Sequence, residues 1–376
     1  MAEDWLYVGT HGRAHRADPV DAAFGIYRFC RAPGASGFQG LPVTRTPQPG
    51  WLAIHPNGRF LYAVNEIGNA EAGEDGSVSA FAIEPGSGEL RLLNSQSTSA
   101  LPCHCALAAG GQYLLVATFG GGAVHLFALG LDGSLAREAD MQRQGGASVH
   151  PRRQLQAHAH QVAIDPANRF VLVPDLGTDT VWVYELDRTH GRLQLRPECC
   201  VRVSPGSGPR HLSFDERARF VYLINEISAT VMVFGYDSGS GALRALQALD
   251  LLPEGFGGLR SGAALLLHPS GRFLYATTRS HGSSGEPPVR GLDSLVWFAI
   301  DAHSGLLSFR GRIPSGGELP RSLIFDARTG QLLIAHQASG TIVGFEVDPR
   351  AGTPRPSGEV LHTPVPVCLQ LLAARA

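Results

Sequence analysis

Apolar and polar positions recur along this chain in short runs, with no sustained helical period. The clearest copy is Asn57-Gly58-Arg59-Phe60-Leu61-Tyr62-Ala63-Val64-Asn65-Glu66, a turn followed by an aromatic and β-branched run and a polar end. Related runs begin at Trp5, Phe60, Tyr113, Phe170, Phe220, Phe273 and, less clearly, Gln331, at intervals of 55, 53, 57, 50, 53 and 58 residues. Each interval holds a second signal, an apolar run ending in Asp or Glu and then a Gly-x-Leu turn. Examples are Phe81-Ala82-Ile83-Glu84 with Gly88-Glu89-Leu90 and Phe298-Ala299-Ile300-Asp301 with Gly305-Leu306-Leu307. Short runs of this composition bounded by Gly, Asp, Asn and Pro are strands. Four strands in each repeat of about 50 residues make a propeller blade.

An innermost strand, usually opened by Pro, precedes each run, as in Pro102-Cys103-His104, Pro209-Arg210-His211-Leu212 and Pro320-Arg321-Ser322-Leu323. Trp5 lacks one. The missing copy is Pro366-Val367-Cys368-Leu369-Gln370-Leu371-Leu372, at the other end of the chain. The pattern predicts an all-β fold, a seven-bladed β-propeller with four antiparallel strands per blade. The ring is closed by the C-terminal strand joining the N-terminal blade, which removes the exposed sheet edges. Residues 1–376 are read as one domain, because a repeat ring can exceed the usual domain length.

In such a ring the start of each inner strand meets the end of the second strand at one mouth of the channel. Gly50, Cys103, His160, Arg210, Ala263, Arg321 and Val367 fall at the starts, and His11, Glu66, Phe119, Leu176, Glu226, Arg279 and Gln337 at the ends. Asn65, His104, Asp175, His211, Asn225 and His336 lie one position away. Convergent titratable groups in a concave place are the expected active site.

The segments Arg153-Gln154, Ala157-His158-Ala159-His160 with Asp165-Pro166, Gly208-Pro209-Arg210-His211-Leu212, Asn225-Glu226 and Arg279 resemble the propeller-type bacterial 6-phosphogluconolactonases and the fungal carboxymuconate lactonizing enzymes. The resemblance covers essentially the whole chain. It implies catalysis or substrate binding for His160, Arg210, Glu226 and Arg279. It departs at Ala264, where bacterial relatives usually carry an acidic residue, so the substrate detail is left to the site itself.

Opening a lactone needs a base for water, donors for the developing oxyanion and an anchor for an acid group. His160 is the candidate base because imidazole titrates near neutrality. Arg210 is assigned to the carbonyl oxygen and Arg279 to the anionic group, through a planar fork suited to carboxylate or phosphate. Glu226 would orient His160 or water, or pair an arginine. His104, His158, Asp175, His211, Arg321 and Gln337 form the candidate substrate-binding set. His158 is out of line with the ring starts, which favours a hydrogen bond into the blade, and His104, His211 and His336 suit the channel wall. Glu66 repeats the Asn225-Glu226 pair in another blade, as a strand-end device would.

The expected reaction is hydrolysis of a sugar-acid lactone, 6-phosphogluconolactone foremost. The alternatives are a muconolactone-forming or -opening enzyme and, in another class, a non-catalytic interaction scaffold. No cofactor is expected. A metal is not expected either, because arginines at the mouth would repel a cation, although His104, His160, Asp175 and Glu226 are competent ligand types. Gly120-Gly121-Gly122 lacks the Lys and helix of a P-loop and reads as a tight turn.

Composition narrows the partners. Charged residues make up 17%, the net charge is −2 and the pI is about 6.7. Nothing here marks a nucleic-acid or membrane-surface binder, so a small anionic lactone is the expected partner, with the chain a monomer or weak homodimer. All 31 basic residues are Arg, which excludes a Schiff-base lysine. The acidic Met1-Ala2-Glu3-Asp4 start argues for a cytoplasmic protein, and six cysteines without paired C-x-x-C spacing are expected to be free thiols. The segment 281–291, rich in Gly, Pro and Ser, is a candidate lid.

Overall fold

The computed structural model describes residues 3–12, 25–35, 37–280 and 292–374; the candidate lid at 281–291 lies outside them. Seven antiparallel sheets follow one another around a ring. Six of the second strands begin at the residue where the sequence pattern starts its apolar run, from Phe60–Asn65 to Gln331–His336, and the first begins one residue earlier, as Asp4–Thr10. No α-helix occurs among the described residues, only two 3-10 turns at Ala109–Gly111 and Pro197–Cys199.

Position within a blade decides how each strand is patterned. Phe60–Asn65 and Phe170–Asp175 are buried throughout, because neighbouring blades cover both sheet faces. The outer strand Leu90–Thr98 has one neighbour only and carries exposed residues along its length. The core is accordingly divided among the blade interfaces, as in the cluster of Phe60, Tyr62, Val64, Val78, Cys105, Leu114, Val116 and Phe127.

The Gly-x-Leu turns have a specific reason. Gly305 has φ +73, a region that disfavours side chains, and a β-carbon there would lie 2.4 Å from the Phe220 ring of the preceding blade. Gly305 O also accepts a hydrogen bond from Tyr222 Oη at 3.1 Å. The same latch recurs at Tyr7 with Gly88, Tyr62 with Gly133 and Tyr275 with Gly352. Thus the turn glycine and the aromatic run are two halves of one inter-blade joint.

Closure follows the sequence reading. Pro366–Leu372 pairs antiparallel with Asp4–Thr10, with Val8 opposite Leu369 and Tyr7 opposite Gln370, and a bulge falls between Gly9 and Thr10. Gly9 also lets the second blade come close, since a β-carbon there would meet Pro49 O, at the start of strand Pro49–Ile54, at 2.3 Å. The fourth blade is irregular. Its inner strand is reduced to Ala163–Ile164, and His160 precedes it, fixed by an isolated bridge between Ala159 and Asp175 and by its amide on Pro174 O at 3.0 Å. All six cysteines are free, and Cys103, Cys105, Cys199 and Cys368 are buried.

Candidate active site

The mouth is assembled from strand starts and ends of different blades. Pro209–Phe214 carries Arg210 at its second residue, and the adjoining Phe220–Asn225 delivers Glu226 just past its end. In the next blade Arg279 follows Phe273–Thr278 in the same way. These geometries bring Arg210, Glu226, Arg279 and His160 together, as the sequence pattern predicts.

Glu226 is the centre. Its Oε2 lies 2.9 Å from Arg210 Nε, 3.0 Å from Arg279 Nη2 and 3.7 Å from His160 Nε2. Its Oε1 accepts from Arg153 Nη2 at 2.7 Å. Burial alone would raise the Glu226 carboxyl, but Arg279, Arg153 and Arg210 hold it well below the ordinary range. Arg210 is itself fixed by donating Nη1 to Ala263 O at 2.6 Å. Burial, then the nearby Arg279 charge, lowers the Arg210 guanidinium to about 9, so it remains cationic at neutral pH. Arg279 donates Nε to Ser261 Oγ at 3.3 Å.

His160 is held neutral. Desolvation and the Arg210 charge lower its basicity well below that of free imidazole, while Glu226 acts in the opposite direction. Its buried Nδ1 accepts no hydrogen bond among the described residues. Its ring meets His211 at 5.3 Å, and His211, Trp51 and His104 form a mutual cluster with ring centroids 4.3 to 5.8 Å apart. Burial lowers His104 to about 3 and, with Arg210, takes His211 well below its ordinary value, so both are neutral wall groups.

His158 stacks on Phe119 at 4.2 Å and donates Nδ1 to Phe119 O at 2.7 Å, so its hydrogen bond runs to the neighbouring third blade. Asp175 is fully buried, and its Oδ1 accepts from the amides of His158, Gly177 and Thr178 at 2.9–3.0 Å. Arg321 and Gln337 belong to a second group with Glu66 and His11, on blades one, two and seven. Ala264 is buried, packed in the core between blades six and seven. Gly120-Gly121-Gly122 forms the predicted turn, with Gly121 N on Ala100 O.

Arg153 belongs to the sequence pattern, but the pattern gives it no role. It sits on an irregular segment before the fourth blade, 73 residues from Glu226, and only its place beside Gln154 in the motif hinted at a function. His11 and Glu66 were legible as strand ends but not as partners.

No group of three or more His, Cys, Asp or Glu able to hold a metal occurs among the described residues, and the Glu226 oxygens already accept from arginines. A separate groove of about 470 Å3 lies between blades six and seven at the other end of the ring, lined by Arg272, Trp297, Arg310 and Arg350 among others. Arg272 there is tied to the carbonyls of Pro349 and Arg350. Arg169 and Arg219 make equivalent bonds to the next blade, so the contact is a repeat feature of the joint.

A seven-bladed ring with a polar mouth of this kind defines the class. Residues 6–371 match the family described as lactonase, 7-bladed beta-propeller, and the chain belongs to that family. Among its relatives, a 6-phosphogluconolactonase of Bacillus subtilis is 30% identical over 325 residues, covering 86% of this chain and 87% of the relative. A periplasmic gluconolactonase of Pseudomonas aeruginosa superposes with a TM-score of 0.86 at 33% identity, covering 99% of both chains. A protein of Bacteroides fragilis described as a putative 6-phosphogluconolactonase gives 0.85 at 29% identity, over 99% of this chain and 98% of the other.

Proposed function

We propose that this chain hydrolyses a sugar-acid lactone to the free acid, with 6-phosphogluconolactone the foremost substrate. The observation that carries the reading is the charge surplus at the mouth, where Arg153, Arg210 and Arg279 converge on the single carboxylate of Glu226 beside a neutral imidazole. An anionic substrate balances that surplus, and the named activities of the relatives support the same reaction type.

In the proposed step His160 accepts a proton from water as the water oxygen bonds to the lactone carbonyl carbon. Arg210 holds the oxyanion and Arg279 the acid or phosphate group. Glu226, 3.7 Å from the ring, favours the imidazolium as it forms. The ring C–O bond then breaks, and the leaving oxygen takes the proton back from His160. The partner class is a small anionic lactone, and a monomer or weak homodimer in the cytoplasm completes the proposal. Among the described residues no helix is long and apolar enough to cross a membrane.

The test is hydrolysis of freshly prepared 6-phosphogluconolactone beside a muconolactone, corrected for spontaneous opening. His160→Ala should reduce turnover by about 100-fold or more, the usual range for a general base. Wild-type turnover in that variant would remove the base assignment. Activity on the muconolactone alone would favour the lactonizing reaction.

A further inference from the structure

Across the same mouth a second carboxylate is built differently. Glu66 follows the end of Phe60–Asn65, and it faces Gly50, the ring-start position with no side chain. A β-carbon at Gly50 would lie 2.4 Å from Glu66 Oε2, so the glycine makes the space that the carboxylate occupies.

Glu66 Oε2 is buried and accepts no hydrogen bond among the described residues. The groups facing it stop short, His11 Nε2 at 3.6 Å and Arg321 Nη2 at 3.8 Å. Arg321 Nη1 reaches Gln337 Oε1 only at 3.4 Å. Burial pushes the Glu66 carboxyl up, but His11, Arg321 and Arg210 outweigh it and keep the group ionised. A guanidinium, an amide and an imidazole thus converge on an ionised acceptor whose Oε2 no described residue satisfies. His11 and Arg321 remain 26% and 22% exposed, so a ligand can reach them.

Polar groups separated by more than a hydrogen bond call for a bridging group between them. A metal cation is disfavoured by Arg321, and an anion by Glu66. A hydroxyl donates to the carboxylate and accepts from the guanidinium at once, and neighbouring hydroxyls can engage Gln337 and His11. Arg321 is the second residue of Pro320–Asp326 as Arg210 is of Pro209–Phe214, and Glu66 follows its second strand as Glu226 does. Both groups therefore stand at the same mouth, where the Arg321 charge also lowers the basicity of His160, Arg210 and Arg279.

We propose that His11, Glu66, Arg321 and Gln337 form a polyol subsite that binds the hydroxyls of a sugar-acid lactone while the Glu226 cluster holds its carbonyl and acid groups. This assignment rests on the lactonase reading and adds the determinant of sugar over plain lactones. A site built to pair hydroxyls penalises an analogue that leaves its polar groups unpaired.

The experiment compares kcat/KM for glucono-δ-lactone with that for δ-valerolactone, which has the same ring and no hydroxyls, in wild type, Glu66→Gln and His11→Leu. The wild-type preference for the sugar lactone should fall about ten- to hundredfold in Glu66→Gln, the range of one charge-assisted hydrogen bond, and at least about threefold in His11→Leu. Equal losses on both lactones, or an unchanged ratio, would overturn the subsite. If Glu66→Gln loses cooperative melting, His11→Leu decides, because its ring is the more exposed. If wild type opens neither lactone, calorimetry with gluconate and 5-hydroxyvalerate judges the subsite alone, and the lactonase reading falls only if 6-phosphogluconolactone is not opened either. A preference for gluconate that both variants lose supports it, and equal binding of the two acids overturns it.

Discussion

Two charge clusters stand at opposite ends of the ring, one around Arg31 and one around Glu226. Arg31 donates Nε and Nη2 to Asp4 Oδ2 at 3.0 and 2.8 Å, and its Nη1 lies 2.6 Å from Asp326 Oδ2, with Arg328 Nη1 also on Asp4 at 2.8 Å. Two arginines meet two aspartates there, joining the first and seventh blades next to the seam of closure. At the mouth at least three arginines meet the one carboxylate of Glu226. Both clusters pair buried carboxylates with one part-exposed arginine, Arg328 at 34% and Arg153 at 20%, so burial does not distinguish them. Stoichiometry does, because a balanced network has no reason to bind an ion, whereas a surplus of like charge is tolerated only where an opposite charge arrives.

The contrast is sharpest when one arginine is removed from each side. Arg31→Met takes the guanidinium from buried Asp326, which keeps only the Arg328 amide and the Thr329 hydroxyl, and leaves Arg328 as the cation on Asp4, so stability should fall by about 3–5 kcal/mol with kcat/KM unchanged. Denaturant unfolding beside lactone kinetics checks this, and a small change in stability would show that balance is not what holds the seam.

Asp175 is a third case, a buried carboxylate held by backbone amides. Burial, against the hydrogen bonds from His158, Thr178 and Gly177, raises it to about 6. Its folded value therefore exceeds the unfolded one of about 3.9. The stability it contributes is full below pH ~4 and is lost as pH rises through about 6. Asp175→Asn keeps an acceptor for the three amides without the charge. Its stability relative to wild type should rise by on the order of 2–3 kcal/mol between pH 4 and 7. Parallel stability curves for the two proteins over that range would refute the shift.

The smallest effect on folding is expected at Arg279. Arg279→Gln leaves Glu226 with Arg153 and Arg210, so melting should change little. The loss of one charge-assisted contact to substrate should lower kcat/KM about ten- to hundredfold. Lost stability with intact kinetics would make the mouth a second structural network and erase the comparison.

Much of this was readable from residue order. The blade starts, the Gly-x-Leu turns and the relocated inner strand are local patterns, because each strand's burial depends on its place in its own repeat and the repeat recurs seven times. The same register puts His160, Arg210, Glu226 and Arg279 at one mouth from residue order alone. The pairings were not readable. That Arg153 reaches Glu226, that Asp175 is spent on backbone amides and that Glu66 stays just out of reach of His11 and Arg321 depend on side-chain directions across blades distant in sequence. The short inner strand of the fourth blade, which lets His160 precede its sheet, likewise has no local signal. Periodicity along the chain determined the ring and the roster of its mouth. Which charges neutralise one another and which remain for a ligand was decided by differences of an ångström between blades, and only the closed ring sets those distances.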